Sequence, residues 1–131
     1  MFFKKKKIKT YKQLNSQATY KEHFSNLVFI SKIIKDLEYF VFFGTLLGLV
    51  REKNIIKNDD DIDIYINIKE KNELIKILNK NSVIADLNLS VNKTKYFLQA
   101  YRVVNNKNAV IDFYFYESEF NNSYIIEKWN F

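Results

Sequence analysis

A strict alternation of apolar and polar side chains marks one segment of the chain more clearly than any other. Four isoleucines occupy every second position from 62 to 68, and between them lie Asp63, Tyr65 and Asn67. Successive side chains of a β-strand point to opposite faces of the sheet, so a period of two indicates a strand with one buried face. The pattern predicts a half-buried strand over 62–68 whose other face carries polar side chains.

A second segment repeats this alternation later in the chain. From 109 to 116, Ile111, Phe113 and Phe115 alternate with a second set of residues, namely Val110, Asp112, Tyr114 and Tyr116. This pattern predicts a strand near 109–116, again with one face that is wholly apolar.

The remaining elements follow from helical spacing, capping residues and turn-forming asparagines. Thr19 and Glu22 have the spacing of a capping box, and apolar residues recur behind them with a helical period. The patterns predict helices near 20–38, 45–52 and 70–80, strands near 39–43, 83–91 and 95–104, a turn at 105–108, and a strand or terminal helix near 123–129. This order predicts an α/β (α+β) fold, in which helices pack on one face of a β-sheet and polar side chains lie on the other.

Length and composition limit the number of domains and the kinds of site. A chain of 131 residues with 47% hydrophobic content can form one core. We therefore predict a single domain over 19–131, preceded by a basic, flexible segment at 1–18. Cysteine is absent, which excludes disulfide frameworks and thiolate metal sites, so a metal needs oxygen ligands or the single His23.

The charge of the chain indicates the chemistry of its partners. A net charge of +6 favours nucleotides, anionic glycans or acidic lipid, and we expect no nucleic acid partner. A lysine cluster at 4–9 predicts either weak contact with an anionic membrane surface or a solvated terminus. Because no window resembles a secretion signal or a membrane span, we expect a cytoplasmic protein, with the inner membrane surface as the alternative location.

An acidic run leads into the first alternating strand. Four carboxylates fall within five residues, with no basic residue between them: Asp59, Asp60, Asp61 and Asp63. Asp61 and Asp63 project from the same face of the strand, about 7 Å apart along the backbone, and Asp59 joins them if the strand begins early. Such like charges repel each other, and a bound divalent cation reverses that repulsion. The run therefore predicts a metal site.

Two other interpretations of the acidic run remain open. One is a solvated surface loop, which does not account for the alternation that continues through Asp63. The other is an EF-hand calcium loop, whose positions one, three, five and twelve would be Asp59, Asp61, Asp63 and Glu70. Ile64 then occupies position six, where that loop requires glycine, and the strand pattern contradicts a coiled loop.

Asp112 is an acid inside an otherwise apolar and aromatic strand. A carboxylate in such a position is costly unless it is paired, metal-bound or solvated. If the two alternating strands are neighbours, Asp112 completes a three-carboxylate cluster with Asp61 and Asp63. Oxygen ligands of this kind suit Mg²⁺ or Mn²⁺ in phosphoryl transfer.

Gly44 and Thr45 end an apolar run and open a predicted helix. Backbone N–H groups and a hydroxyl at a strand-to-helix turn can hold a phosphate, although the same pair also suits a tight turn and a helix cap. Arg51, one of two arginines in the chain, can form a forked contact with a phosphate or a surface ion pair. These three residues are the candidates for binding nucleotide phosphate.

Two blocks of this sequence together resemble the signature of the LicD/fukutin-related family. They are Phe43-Gly-Thr-Leu-Leu-Gly-Leu-Val-Arg51 and Asn54-Ile-Ile-Lys-Asn-Asp-Asp-Asp-Ile-Asp-Ile64. The resemblance extends over about 20–116. It departs from the family pattern at Phe43, where a second glycine is common, and at Lys57-Asn58, where Pro-Trp usually precedes the acids.

The resemblance implies a nucleotidyltransferase-like mixed β-sheet and a metal-dependent transferase. Such enzymes move a phospho-substituent, such as phosphocholine or a phosphopolyol, from a CDP-linked donor to a sugar on a glycan. By that analogy Gly44 and Thr45 hold donor phosphate, and Asp61 and Asp63 bind metal with Asp59 assisting. Asp112 is the third carboxylate and the first candidate for the base that takes the proton of an acceptor hydroxyl. Two other functions stay open: a small nucleotidyltransferase that moves a nucleoside monophosphate from a triphosphate to a hydroxyl, and a non-catalytic protein that binds nucleotide or metal.

Overall fold

The computed structural model describes residues 18–53, 61–85, 95–119 and 124–127. Its helices in these ranges are α1 (Tyr20–Ile33), α2 (Phe43–Glu52) and α3 (Lys71–Lys80), with a 3₁₀ turn (Ile68–Glu70) directly before α3. Its strands are β1 (Tyr39–Val41), β2 (Asp61–Asn67), β3 (Ile84–Ala85), β4 (Phe97–Val104), β5 (Lys107–Glu119) and β6 (Tyr124–Glu127).

The strands form one mixed sheet, with β2 and β5 at its centre. The order is β1-β2-β5-β4-β3, and β6 pairs with β5. β2 and β5 run parallel, whereas β1 is antiparallel to β2 and β4 is antiparallel to β5. A parallel pair needs a long crossover connection, and α3, β3 and β4 all lie between β2 and β5 in the chain. The predicted α/β fold with a mixed sheet is confirmed.

The hydrophobic core lies on the isoleucine face of the sheet. Ile62, Ile64 and Ile66 have no exposed surface, and burial of each such side chain contributes about 1.5–3 kcal/mol. The helical residues in the same cluster are Leu27 and Ile30 of α1 and Leu74 and Leu78 of α3, and Leu49 of α2 packs against them. A register slip of one residue would turn the isoleucines away from this core. The core therefore fixes which side chains of β2 lie on the opposite face.

Helix α1 ends at Ile33, five residues before the predicted end at 38. Ile34 and Leu37 nevertheless contact the core, since Ile34 is fully buried and Leu37 packs against the cluster. The Leu37 N–H donates to the Ile34 carbonyl in a turn that redirects the chain into β1. Helical spacing and a packed turn give the same apolar pattern here, which is why periodicity placed the helix end too late.

The connection between β4 and β5 is a two-residue hairpin turn, shorter than the predicted turn at 105–108. Asn105 and Asn106 have φ angles of 51° and 62°, as a type I′ turn requires at both central positions. Val104 pairs with Lys107 directly beyond them. Asparagine tolerates this left-handed conformation better than most residues. The turn fixes the register of the whole β4–β5 pair.

Several predicted segments lie wholly or partly outside the described residues. Of the strand predicted near 83–91, residues 83–85 are described and Ile84–Ala85 form β3, and the segment predicted near 123–129 contains a strand, β6. The predicted basic segment at 1–18 falls outside the described residues except for Ala18. Within the part of the chain that the structure describes, no helix is long and apolar enough to cross a membrane.

Candidate functional site

Three polar side chains lie next to one another on the face of the sheet opposite the core. Asp63 of β2 is the register partner of Asp112 of β5, and Asp112 is the register partner of Gln99 of β4. Neighbouring strands are about 4.8 Å apart, and register partners point to the same face. We call Asp63, Asp112 and Gln99 the carboxylate row.

All members of the carboxylate row are nearly inaccessible to solvent. The exposed fractions of Asp63, Asp112 and Gln99 are 8%, 4% and 5%. The Gln99 Nε2 atom donates a hydrogen bond of 2.6 Å to Oδ1 of Asp112. A hydrogen bond to a carboxylate is shorter and stronger than one between neutral groups, so it gives the Asp112 side chain a defined orientation. Charged groups so deeply buried are uncommon unless they have partners or a bound cation.

The beginning of α2 is attached directly to Asp63. The Oγ1 atom of Thr45, a fully buried residue, accepts a hydrogen bond of 2.8 Å from the Asp63 N–H. The Phe42 N–H donates to the Asp63 carbonyl at 3.2 Å. Gly44 and Thr45 both lie in the first turn of α2, which begins at Phe43. These contacts place the N-terminus of α2 beside the carboxylate row. The first N–H groups of a helix have no acceptor within the helix.

A row of aromatic rings follows the carboxylate row along the same face. The centroid of the Tyr65 ring lies 5.0 Å from that of Phe42, 5.4 Å from that of Phe40 and 5.2 Å from that of Tyr114. Phe97 extends the row on β4, with its centroid 5.3 Å from that of Tyr114. Phe40, Phe42 and Tyr114 keep part of their surface accessible. We call these five residues the aromatic row.

A third row of polar groups closes the far end of this face. The Tyr116 hydroxyl donates a hydrogen bond to Glu38 Oε2, and the Asn67 side chain donates to both Glu38 Oε2 and Ser118 Oγ. The hydrogen bond from Tyr116, followed by that from Asn67, lowers the pKa of Glu38, and burial together with Glu38 raises the pKa of Tyr116. This network joins the start of β1 to β2 and β5.

Comparison with known proteins identifies the family to which this fold and site belong. A family model for the LicD/FKTN/FKRP nucleotidyltransferase domain matches residues 36–130, which is more than half of the chain and includes all six described strands. The chain belongs to the LicD/FKTN/FKRP family. Membership indicates a transferase. The resemblance carried by Gly44, Thr45, Arg51 and the acidic run is thereby confirmed at the level of the family.

The comparisons give no relative from which finer detail could be transferred to this LicD family chain. No curated protein and no solved structure matches it. Donor, acceptor and cofactor must therefore be inferred from its own residues.

The remaining predicted site residues differ in how much of each one the structure describes. Asp61 is the first residue of β2 and pairs with Val110, but its side chain is outside the described part, as is all of Asp59. Arg51 is exposed in the last turn of α2. Among the described residues, no group of three or more His, Cys, Asp or Glu side chains could hold a metal. A three-carboxylate cluster with Asp61 therefore stays a prediction, while the pairing of Asp63 with Asp112 is observed.

The geometry of β2 tests the EF-hand interpretation for the part of the acidic run that begins at Asp61. Asp61 to Asn67 form a continuous strand that pairs with β5 along its whole length and with β1 at 64–66, so this segment is not the coiled loop of an EF-hand. His23 is fully buried in α1, which packs on the isoleucine face. The imidazole therefore lies on the other side of the sheet from Asp63 and Asp112.

Gln99 and the aromatic row are not among the site residues predicted from the sequence. Gln99 interrupts the apolar run from Tyr96 to Tyr101 in the same way that Asp112 interrupts its own strand. That signal was available, but a neutral amide in a strand carries less information than a buried charge. The five rings come from four separate predicted strands, and only the pairing of β1, β2, β5 and β4 shows that they meet.

Proposed function

We propose that this LicD family protein is a divalent-metal-dependent transferase. It moves a phospho-substituent, phosphocholine-like or phosphopolyol, from a CDP-linked donor to a hydroxyl of a sugar or glycan. The observation that carries the proposal is the pairing of Asp63 with Asp112 on parallel strands beside the N-terminus of α2.

The donor atoms of the carboxylate row fit a hard divalent cation. Asp63 and Asp112 offer carboxylate oxygens from neighbouring strands on one nearly buried face, and such ligands suit Mg²⁺ or Mn²⁺. Two carboxylates at this spacing repel each other, and a cation held by both removes that cost. We propose that Asp61 and Asp59, the next carboxylates toward the start of β2, complete the ligand set.

The chain's own residues account for the remaining parts of the transfer. When bound, the cation would neutralise negative charge on the donor pyrophosphate. The first turn of α2, with Gly44 and Thr45, binds a donor phosphate through backbone N–H groups. Arg51 contributes a further positive charge in the last turn of α2. These contacts orient the phosphorus for attack without any covalent step on the protein.

The proposed reaction is a displacement at the phosphorus that carries the transferred group. The acceptor oxygen forms a new bond to this phosphorus, the bond to the bridging oxygen breaks, and CMP leaves with the electron pair. Asp112 takes the proton of the acceptor hydroxyl.

The aromatic row supports a nucleotide-linked donor. Aromatic faces stack on nucleobases, and they also attract quaternary ammonium groups such as that of choline. Phe40, Phe42 and Tyr114 are partly exposed on the same face as the carboxylates. A donor that places its phosphates at the carboxylate row can therefore place a base or a trimethylammonium group on these rings.

A product assay tests the proposal. The protein is incubated with CDP-choline, CDP-polyols or free nucleoside triphosphates, a panel of sugar acceptors, and Mg²⁺ or Mn²⁺, and the released nucleotide is separated by chromatography. We expect CMP from a CDP-linked donor, and loss of that product in Asp63→Asn. Glu73→Gln, an exposed position in α3, is the control that should retain activity.

Two results would contradict this assignment. Release of pyrophosphate from a triphosphate, with no CMP from any CDP-linked donor, would identify a nucleotidyltransferase that moves the nucleoside monophosphate itself. Binding of nucleotide and metal without either product would identify a protein that no longer turns over substrate.

A further inference from the structure

Gln99 is the member of the carboxylate row that neither the sequence motifs nor the proposed reaction explains. Its side chain is 5% exposed, and its Nε2 atom donates to Asp112 Oδ1. Its Oε1 atom is buried and has no hydrogen-bond donor within the described part of the chain. Within the described residues, this buried amide therefore has a hydrogen-bond partner at Nε2 and none at Oε1.

The orientation of this amide is set by chemistry. An ionised carboxylate only accepts hydrogen bonds, so Nε2 must face Asp112 and Oε1 must face elsewhere. A buried acceptor without a donor costs about 1–3 kcal/mol. A leucine or methionine at this position would avoid that cost and continue the apolar run of β4. The amide therefore points to a donor that is supplied from outside the described residues.

The position of Oε1 limits what that donor can be. Oε1 is bonded to the same carbon as Nε2, so it too lies beside the Asp112 carboxylate. One donor that suits a position beside a carboxylate is a water bound to a divalent cation, because the cation polarises that water and makes it donate strongly. Partners of this kind, which contact both a ligand residue and the coordination sphere, orient metal ligands in many proteins.

We propose that Gln99 is a positioning residue for the divalent cation. Its Nε2 atom holds the Asp112 carboxylate in the orientation that binds the cation, and its Oε1 atom accepts a hydrogen bond from a water on that cation. The inference rests on the proposed function, because it requires that the carboxylate row binds a cation. It adds a residue that no sequence motif assigns and states what each of its two polar atoms does.

Calorimetric titration with Mn²⁺ alone tests this role without any substrate. Gln99→Met keeps the length of the side chain and removes both polar atoms. We expect it to fold and to bind Mn²⁺ about 10-fold more weakly, the lower end of the effect of losing such a partner. Gln99→Asn retains the amide but withdraws it by one methylene, so it should weaken binding in the same direction. Gln99→Asn also tests the proposal if Gln99→Met does not fold.

Tyr96→Phe is a matched control for these variants. The Tyr96 hydroxyl donates a hydrogen bond to the carboxylate of Glu117. Tyr96 directly precedes β4 and Glu117 lies in β5, so this hydrogen bond, like that of Gln99, reaches a carboxylate of β5. Tyr96 belongs to the core cluster on the other face of the sheet. Loss of the Tyr96 hydroxyl should lower the melting temperature and leave the affinity for Mn²⁺ unchanged.

The outcomes separate this inference from the proposed function. If the wild type binds Mn²⁺ and both Gln99 variants bind it equally well, Gln99 has only a structural role and the inference is wrong. If the wild type does not bind Mn²⁺, with or without CDP-choline, both the inference and the metal-dependent function fail. Weaker binding in both variants, together with unchanged binding in Tyr96→Phe, supports the role we propose.

Discussion

Asp63 and Asp112 are direct neighbours on two parallel strands, although they are far apart in the sequence. Their pairing results from the register of β2 with β5, which is itself held by the isoleucines and phenylalanines on the other face of the same strands. Packing on one face therefore sets the geometry of the carboxylates on the other. A site built in this way should tolerate isosteric changes of its polar atoms without loss of the fold.

Asp112→Asn should separate function from stability. The asparagine carbonyl oxygen can still accept the hydrogen bond from Gln99, so we expect the melting temperature to change little. The cation ligand and the proton acceptor are both lost, so metal-dependent CMP release should fall by orders of magnitude. Melting temperature and turnover are measured on the same preparation.

Glu117→Gln is the control for this substitution, because Glu117 is a hydrogen-bonded acid on the same strand and outside the carboxylate row. It should retain turnover. A large loss of stability in Asp112→Asn, with normal turnover per folded molecule, would show that Asp112 is a structural acid and would weaken the proposed function.

Divalent cations should stabilise the folded protein through the carboxylates of β2. A ligand at 100 times its dissociation constant adds about 2.7 kcal/mol to the free energy of unfolding. We therefore expect Mn²⁺ or Mg²⁺ to raise the melting temperature of the wild type and to have little effect on the double variant Asp61→Asn/Asp63→Asn. Equal shifts in both proteins, or no shift in either when nucleotide is present, would argue against a metal site here.

Thr45→Val should weaken the attachment of α2 to β2. Valine preserves the shape of threonine but removes the Oγ1 atom that accepts from the Asp63 N–H at 2.8 Å. The loss of an acceptor for a buried N–H costs about 1–3 kcal/mol, measurable as a lower urea midpoint with an unchanged slope. Thr45→Ser retains the oxygen and should lose less stability than Thr45→Val. Equal losses in the two variants would mean that the hydrogen bond contributes nothing.

The start of α1 should make stability depend on pH in the acid range. Hydrogen bonds from the Thr19 side chain and backbone lower the pKa of Glu22 from its ordinary value of 4.5 to about 2. Because the pKa is lower in the folded state, this contribution is complete above pH 4.5 and is lost as the pH falls toward 2. Glu22→Gln should therefore lower the melting temperature at pH 7. The difference in melting temperature from the wild type should shrink as the pH falls from 4.5 toward 2.

Glu73→Gln serves as the comparison for the acid titration, because Glu73 is exposed in the first turn of α3. It should change the melting temperature little at any pH. A difference between wild type and Glu22→Gln that stays constant down to pH 2 would show that the carboxylate of Glu22 adds no pH-dependent stability.

Much of the fold was predictable because local patterns and tertiary packing agree. The alternation at 62–68 predicted β2 within one residue at each end, since burial of every second side chain is itself what holds the strand. The turn at Asn105 and Asn106 was predictable in place, but its length was not. Two residues suffice only because both adopt positive φ angles, and sequence composition does not report backbone angles.

The sequence by itself determined the elements, the carboxylates and the family. The spacing of Gly44, Thr45 and the acidic run sufficed for the family because these residues are close together in the chain. The tertiary structure alone decided that Asp63 lies beside Asp112 and that Gln99 completes their row. Those neighbours come from three strands, and pairing between distant strands depends on the packing of the whole core rather than on any local pattern.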